Sequence, residues 1–136
     1  MKFENSPHSK TLNYYKLVLP FGNFFLCEKF IISELHTGVH FDWPKIEMVI
    51  KNVFKFYGEN TRLGYISNRI NSYSVSPQDW EKAEQYNLMT GIAIVYYNYM
   101  TYLNISLEKR FLKVNFHPCL SLDEAIEWVL GLEESK

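Results

Sequence analysis

Cysteine is scarce in this chain of 136 residues: only Cys27 and Cys119 are present, far apart. No CxxC pair occurs, so neither a redox motif nor a zinc motif of that type is encoded. The opening stretch MKFENSPHSKTLN is polar and has no apolar centre of the kind a signal peptide needs. Two reduced thiols in a cytoplasmic protein are therefore expected. Charge of one sign is lacking as well. The net charge is −1, which gives no electrostatic footprint for nucleic acid. No apolar run approaches the roughly 18 residues of a membrane span. Glycine is sparse, with six scattered residues and no GxGxxG, Walker or GxSxG pattern. Without a phosphate loop or a nucleophile elbow, the chain offers no catalytic motif and no cofactor, and it reads as a non-enzyme.

What is present is a globular composition, 47% hydrophobic and 17% aromatic. The length fits one domain. Residues 13–133 are assigned to it, with residues 1–12 as a polar tail. Tyr14 to Leu19 (YYKLVL) is a β-type run, and Pro20-Phe21-Gly22-Asn23 is a turn. FFLCE and FIISEL follow, as either one bent strand or two paired strands. Asp42 caps a helix with Trp43 and Pro44 in its first turn. Its apolar face is Ile46, Val49, Ile50, Val53, Phe54 and Tyr57, and Gly58 ends it.

Arg62 to Trp80, RLGYISNRINSYSVSPQDW, is the centre of the reading. Leu63 to Ile66 is apolar without alternation, as in a strand covered on both faces. The loop Asn68, Arg69, Asn71, Ser72, Tyr73, Ser74 is rich in amides, hydroxyls and one cation. Ser76 is expected to cap the next helix, with Pro77 at N1 and Asp79 at N3. That helix runs to about Tyr86, with Asn87 at its C-cap. TGIAIVYY (90–97) is a further interior strand. A helix follows, capped by Asn98, with Met100, Leu103, Leu107 and Phe111 as its periodic apolar positions and Glu108-Lys109-Arg110 on its outer side. KVNFH (113–117) is a last strand, which Pro118 makes an edge or ends. Ser121 and Glu124 have the spacing of a capping box for the final helix.

Strands alternating with helices predict a single α/β domain with a mixed, mostly parallel sheet of about five to six strands, an antiparallel N-terminal meander and about four helices. Loops at the carboxyl ends of such strands are the usual place for ligands. The 68–76 loop is therefore the candidate binding or regulatory element. Tyr65, Trp80, Tyr96, Tyr97, Tyr99 and Tyr102 are candidates for lining an apolar cleft at the same edge, although core and rim packing or a homodimer surface is the favoured reading of them. His36 and His40 are four residues apart but flank Gly38 in a loop with no third ligand nearby, so no metal site is expected.

The order of elements resembles the STAS superfamily, in particular its SpoIIAA-like branch, named from anti-sigma-factor antagonists and distantly similar to CRAL-TRIO lipid-transfer domains. The residues carrying the resemblance are YYKLVLPFGNFFLCEKFIISEL, LGYISNRINSYSVSP and HPCLSLDEAIEWVLGL. The resemblance implies a mixed sheet, no catalytic centre, and function through a partner protein or a small ligand. In the antagonists, a serine at the start of the helix after the central strand is phosphorylated by a kinase-like anti-sigma factor. The matching place here is Ser72 to Ser76, although the loop NRINSYSVSP is longer and lacks an Asp-Ser-Ser-Gly type motif. The expectation is a cytoplasmic regulatory domain that binds a protein, switched by serine phosphorylation in that loop. The alternative is a lipid or small-ligand carrier.

Overall fold

The structure, a computed structural model, describes residues 1–134. A 3-10 turn (Phe3–Asn5) and a short helix α1 (His8–Thr11) precede the first strand. Then come β1 (Tyr14–Leu19), β2 (Gly22–Cys27), β3 (Phe30–Leu35), β4 (His40–Phe41), α2 (Trp43–Tyr57) and β5 (Leu63–Asn68). They are followed by β6 (Ser74–Val75), α3 (Asp79–Glu84), β7 (Met89–Val95), α4 (Tyr99–Lys109), β8 (Asn115–Cys119) and α5 (Leu122–Glu134).

The main sheet has six strands in the order β1-β2-β3-β5-β7-β8. β1, β2 and β3 are antiparallel neighbours, so FFLCE and FIISEL are two paired strands. β3, β5, β7 and β8 run parallel. The fold class read from the sequence is thus the one observed. β4 and β6 form a separate parallel pair. Pro118 lies within β8, which is an edge strand and has one side free of ladder bonds.

Both faces of the sheet are covered, which explains the non-alternating apolar strands. Tyr65, Ile92 and Ile94 join Ile46, Val49, Ile50 and Val53 of α2 and Trp80 and Ala83 of α3 in one core. Ile66, Ala93 and Val95 join Ala125, Ile126 and Val129 of α5 in the other. Gly64 and Gly91 let α5 lie close. A Cβ on Gly64 would sit 2.8 Å from Val129 Cβ, and one on Gly91 would sit 2.4 Å from Leu132 Cδ1. Gly58 ends α2 at positive φ, as its residue type suggested, whereas α3 stops at Glu84 with Gln85 as its C-cap, and Asn87, expected at the cap, follows two residues later at positive φ.

Several local expectations need correction. The first twelve residues are not a loose tail. Phe3 is fully buried in the α5-side core, packed edge-on against Tyr14 and tilted against Phe25. α3 begins at Asp79, with Gln78 rather than Ser76 as its N-cap. Asp42 precedes α2 but makes no side-chain cap bond; the Asp79 carboxylate accepts the Trp43 N–H instead, at 2.8 Å.

The largest correction concerns α4. Glu108, expected outside, is buried together with Ile105. At 3.6 residues per turn, Leu107 lies about 100° and Leu103 about 140° around the helix from Glu108, and both lie about 160° from Ile105. Met100, Leu103 and Leu107 are consequently exposed.

Candidate functional site

β3, β5 and β7 present their carboxyl ends side by side, where an open α/β sheet usually carries its site. Two polar clusters and one apolar surface meet there.

The first cluster is built on Arg69, just past β5. It is a buried residue and not the free cation that the loop's composition suggested. Its Nη1 and Nη2 each donate to a Glu108 oxygen at 2.5 Å, a bidentate pair whose side chains are 5% and 3% exposed. Arg69 Nε donates to Ser67 Oγ at 3.1 Å, and the guanidinium lies over the Tyr73 ring at 5.4 Å. Trp80 Nε1 donates to Glu108 Oε1 at 3.1 Å, tying α3 to α4. The Tyr73 hydroxyl is 2.9 Å from Ser67 Oγ, and the Tyr65 hydroxyl donates to Ser33 Oγ at 2.7 Å. Burial alone would lower the Arg69 pKa, but Tyr73 and Glu108 outweigh it and hold it above its ordinary value. Burial raises the Tyr65 and Tyr73 phenols. A buried charge with a bidentate partner fixes geometry more than it binds ligands. Its partner lies 39 residues along the chain, so no local signal announced it.

The second cluster is Glu34, Asn68 and Tyr97. Glu34 and Asn68 are buried, and Asn68 Nδ2 donates to Glu34 Oε2 at 2.8 Å and to the Met1 carbonyl at 2.9 Å. The Phe3 N–H donates to Glu34 Oε2 at 2.8 Å, and the Tyr97 hydroxyl donates to Asn68 Oδ1 at 2.6 Å. The N-terminal residues therefore cover this part of the edge. Burial, with the Glu34 charge adding to it, pushes the Tyr97 phenol up to about 12.

The rest of the loop is held to its surroundings. Asn71 Nδ2 donates to the Leu35 carbonyl at 3.0 Å, and the Ser72 carbonyl accepts the Gly38 N–H at 2.8 Å. Ser74 Oγ is 2.7 Å from His40 Nδ1, across the β4–β6 pair. Ser72 and Ser74 are exposed, whereas Ser76 is half-buried. His36 and His40 do not assemble with a third metal ligand among the described residues.

The aromatic residues expected in one cleft separate. Tyr65 and Trp80 are core residues, with ring centroids 6.0 Å apart. Tyr96, Tyr97, Tyr99 and Tyr102 line an open groove together with Asn98 and Leu120. The Tyr96 and Tyr102 rings lie 5.0 Å apart, and those of Tyr99 and Tyr102 stack at 6.4 Å. This groove continues onto the outward side of α4. Tyr99 is 71% exposed, Met100 66% and Leu120 68%, with Leu103 and Leu107 beside them. Lys109 and Arg110, also exposed, stand at the helix's C-terminal end. The same apolar spacing in the sequence had suggested a core face. Only the inward turn of Glu108 reverses that reading.

No family model and no curated protein matches this chain. Among solved structures, it is similar to an uncharacterized protein of the DUF3478 family with a SpoIIAA-like fold, from Shewanella loihica PV-4. The match has a TM-score of 0.54 at 10% identity and covers 87% of this chain and 93% of that one. The class is therefore an α/β domain with the SpoIIAA-like fold, as the resemblance in the sequence implied. Among the described residues, no helix is long and apolar enough to cross a membrane.

Proposed function

We propose that this chain is a non-enzymatic regulatory domain that binds a partner protein through the outward side of α4 and the tyrosine groove beside it. The observation that carries this reading is the apolar surface formed by Tyr99, Met100, Leu103, Leu107 and Leu120, left uncovered beside a well-packed core. Contiguous exposed apolar surface of this kind marks interaction sites. Tyrosine and methionine are favoured at their centres.

Charge narrows the partner. Lys109 and Arg110 border the surface at one end, and the first turn of α4 holds no acidic residue. An antiparallel pairing of two copies along α4 would therefore bring no carboxylate to these cations. A different protein, with an apolar strip bordered by acidic residues, is the better complement. A lipid or metabolite carrier is less well supported. The tyrosines do not enclose a common chamber, and the cavity beneath Trp80 and Met89 holds only about 40 Å³.

Regulation by phosphorylation fits Ser72 and Ser74 better than Ser76, because those two residues are exposed. Arg69 is already committed to Glu108, so a phosphate on Ser74 would act by displacing His40 and loosening the β4–β6 pair. Intact-mass measurement of protein from its native cells tests this switch; unmodified mass in every growth state rules it out. The docking surface itself is tested by affinity capture with wild type and with Leu103→Glu/Leu107→Glu. Loss of a bound protein in the variant alone supports the surface, and identical capture contradicts it.

A further inference from the structure

Where β8 runs into α5, next to the tyrosine groove, a group of side chains has the composition of a metal site. His117 and Cys119 are two apart on the edge strand β8, so the pleat turns both to the same side of the sheet. That side faces the first turn of α5, where Glu124 lies. One ligand atom from each of the three residues lies within 4.8 Å of the other two, and His117 Nε2 is 3.0 Å from Glu124 Oε2.

We propose that His117, Cys119 and Glu124 bind a single divalent transition-metal ion, zinc above all, with water completing a four-coordinate shell. Thiolate, imidazole and carboxylate together match the donor preference of zinc and are poor for magnesium or calcium. Bond lengths of about 2.0 to 2.3 Å put tetrahedral ligands roughly 3.3 to 3.8 Å from one another, so the three side chains need close only slightly. The donors are already oriented. The His117 ring stacks on Trp128 at 5.2 Å and 20°. Glu124 Oε1 accepts the Leu120 N–H at 3.1 Å, which leaves Oε2 for the ion.

Entry from solvent is open, because the His117 and Glu124 side chains are 38% and 43% exposed while Cys119 forms the floor. The proton balance is simple. The thiol loses its proton to solvent, and the imidazole stays neutral with its proton on Nδ1. A thiolate and a carboxylate then neutralise the two positive charges of the ion. Bound metal would clamp the outermost strand of the sheet to α5.

The test is titration of the full-length, chelator-stripped protein with cobalt(II), read by absorbance. The expected result is a thiolate-to-cobalt charge-transfer band that saturates at one equivalent, absent in Cys119→Ser and unchanged in Cys27→Ser. Because Cys119 is a core residue, Glu124→Gln serves as the second variant. Gln keeps the acceptor for the Leu120 N–H but is a poorer ligand, so the band should appear with affinity at least about tenfold weaker. Added zinc should raise the melting temperature of wild type more than that of Glu124→Gln. Absence of the band in folded wild type at saturating cobalt overturns the site, as does its persistence in Cys119→Ser or an unchanged affinity in Glu124→Gln.

Discussion

Replacing Glu108 by Ala tests the energetic centre of the carboxyl edge. The carboxylate accepts two bonds from Arg69 and one from Trp80 Nε1, in a place that water barely reaches. After truncation, Ser67 Oγ and the Tyr73 ring are the close side-chain partners that Arg69 retains among the described residues. An arginine cannot shed its charge to escape this, so the guanidinium stays buried and uncompensated. Breaking one side of such a pair costs about 3 to 5 kcal/mol. For a domain of this size the melting temperature would fall by about 10 to 20 °C. Removing both charges should do less harm, because apolar replacements of similar volume leave no orphan. Arg69→Met/Glu108→Leu is therefore expected to recover most of the stability, with a coupling of about 2 kcal/mol or more between the positions. Urea unfolding followed by tryptophan fluorescence measures wild type, Arg69→Met, Glu108→Leu and the double change as the four corners of the cycle, with Glu108→Ala measured beside them, and Trp80 reports from within the cluster. A loss within about 0.5 kcal/mol for Glu108→Ala, or strict additivity of the two changes, would refute the reasoning.

Asp79→Ala should destabilise the protein by about 1 to 2 kcal/mol by uncapping α2, whereas Asp42→Ala should cost distinctly less because its side chain makes no cap bond; chemical denaturation compares them. Gly64→Ala should cost about 1 to 3 kcal/mol through its clash with Val129, and Gly64→Ala/Val129→Ala should cost less than the sum of the two single changes, measured by thermal unfolding. Stability should fall as pH rises from about 9 to about 12, read as a falling urea midpoint. Burial raises the Cys27 thiol from 9.0 to about 12, and it raises the Tyr97 phenol from 10.0 to about 12. The unfolded chain releases these protons first, so their contribution is complete below the unfolded values and is lost as pH climbs through the folded ones. Tyr97→Phe should flatten the upper part of that decline.

The parallel strands were legible because β5 and β7 are apolar on both sides, a pattern that only a doubly covered sheet explains. α2 was legible through its periodicity and Gly58. The site was harder to read. The residues of the 68–74 loop were correctly placed at the sheet's carboxyl edge, but their composition says nothing of which are solvated. Arg69 is buried by Glu108, and Asn68 by Glu34 and the first residues of the chain. Both arrangements depend on partners more than 30 residues away. The same long-range pair decides which side of α4 faces water, so periodicity alone assigned Leu103 and Leu107 to the wrong side. Asp79 likewise had the spacing of a local helix-start residue yet serves the start of another helix.

The outward side of α4 as a docking surface is tested most directly by quantitative affinity capture from native cells. Wild type would be compared with Leu103→Glu/Leu107→Glu and with a control on the solvent side of α2, Lys51→Glu, all three first matched for folded stability. The predicted result is one protein captured in stoichiometric amounts by wild type and by Lys51→Glu, and depleted at least about tenfold by the α4 variant, the loss expected from about 1.4 kcal/mol of binding energy. The same captured proteins in the same amounts from all three baits would contradict it.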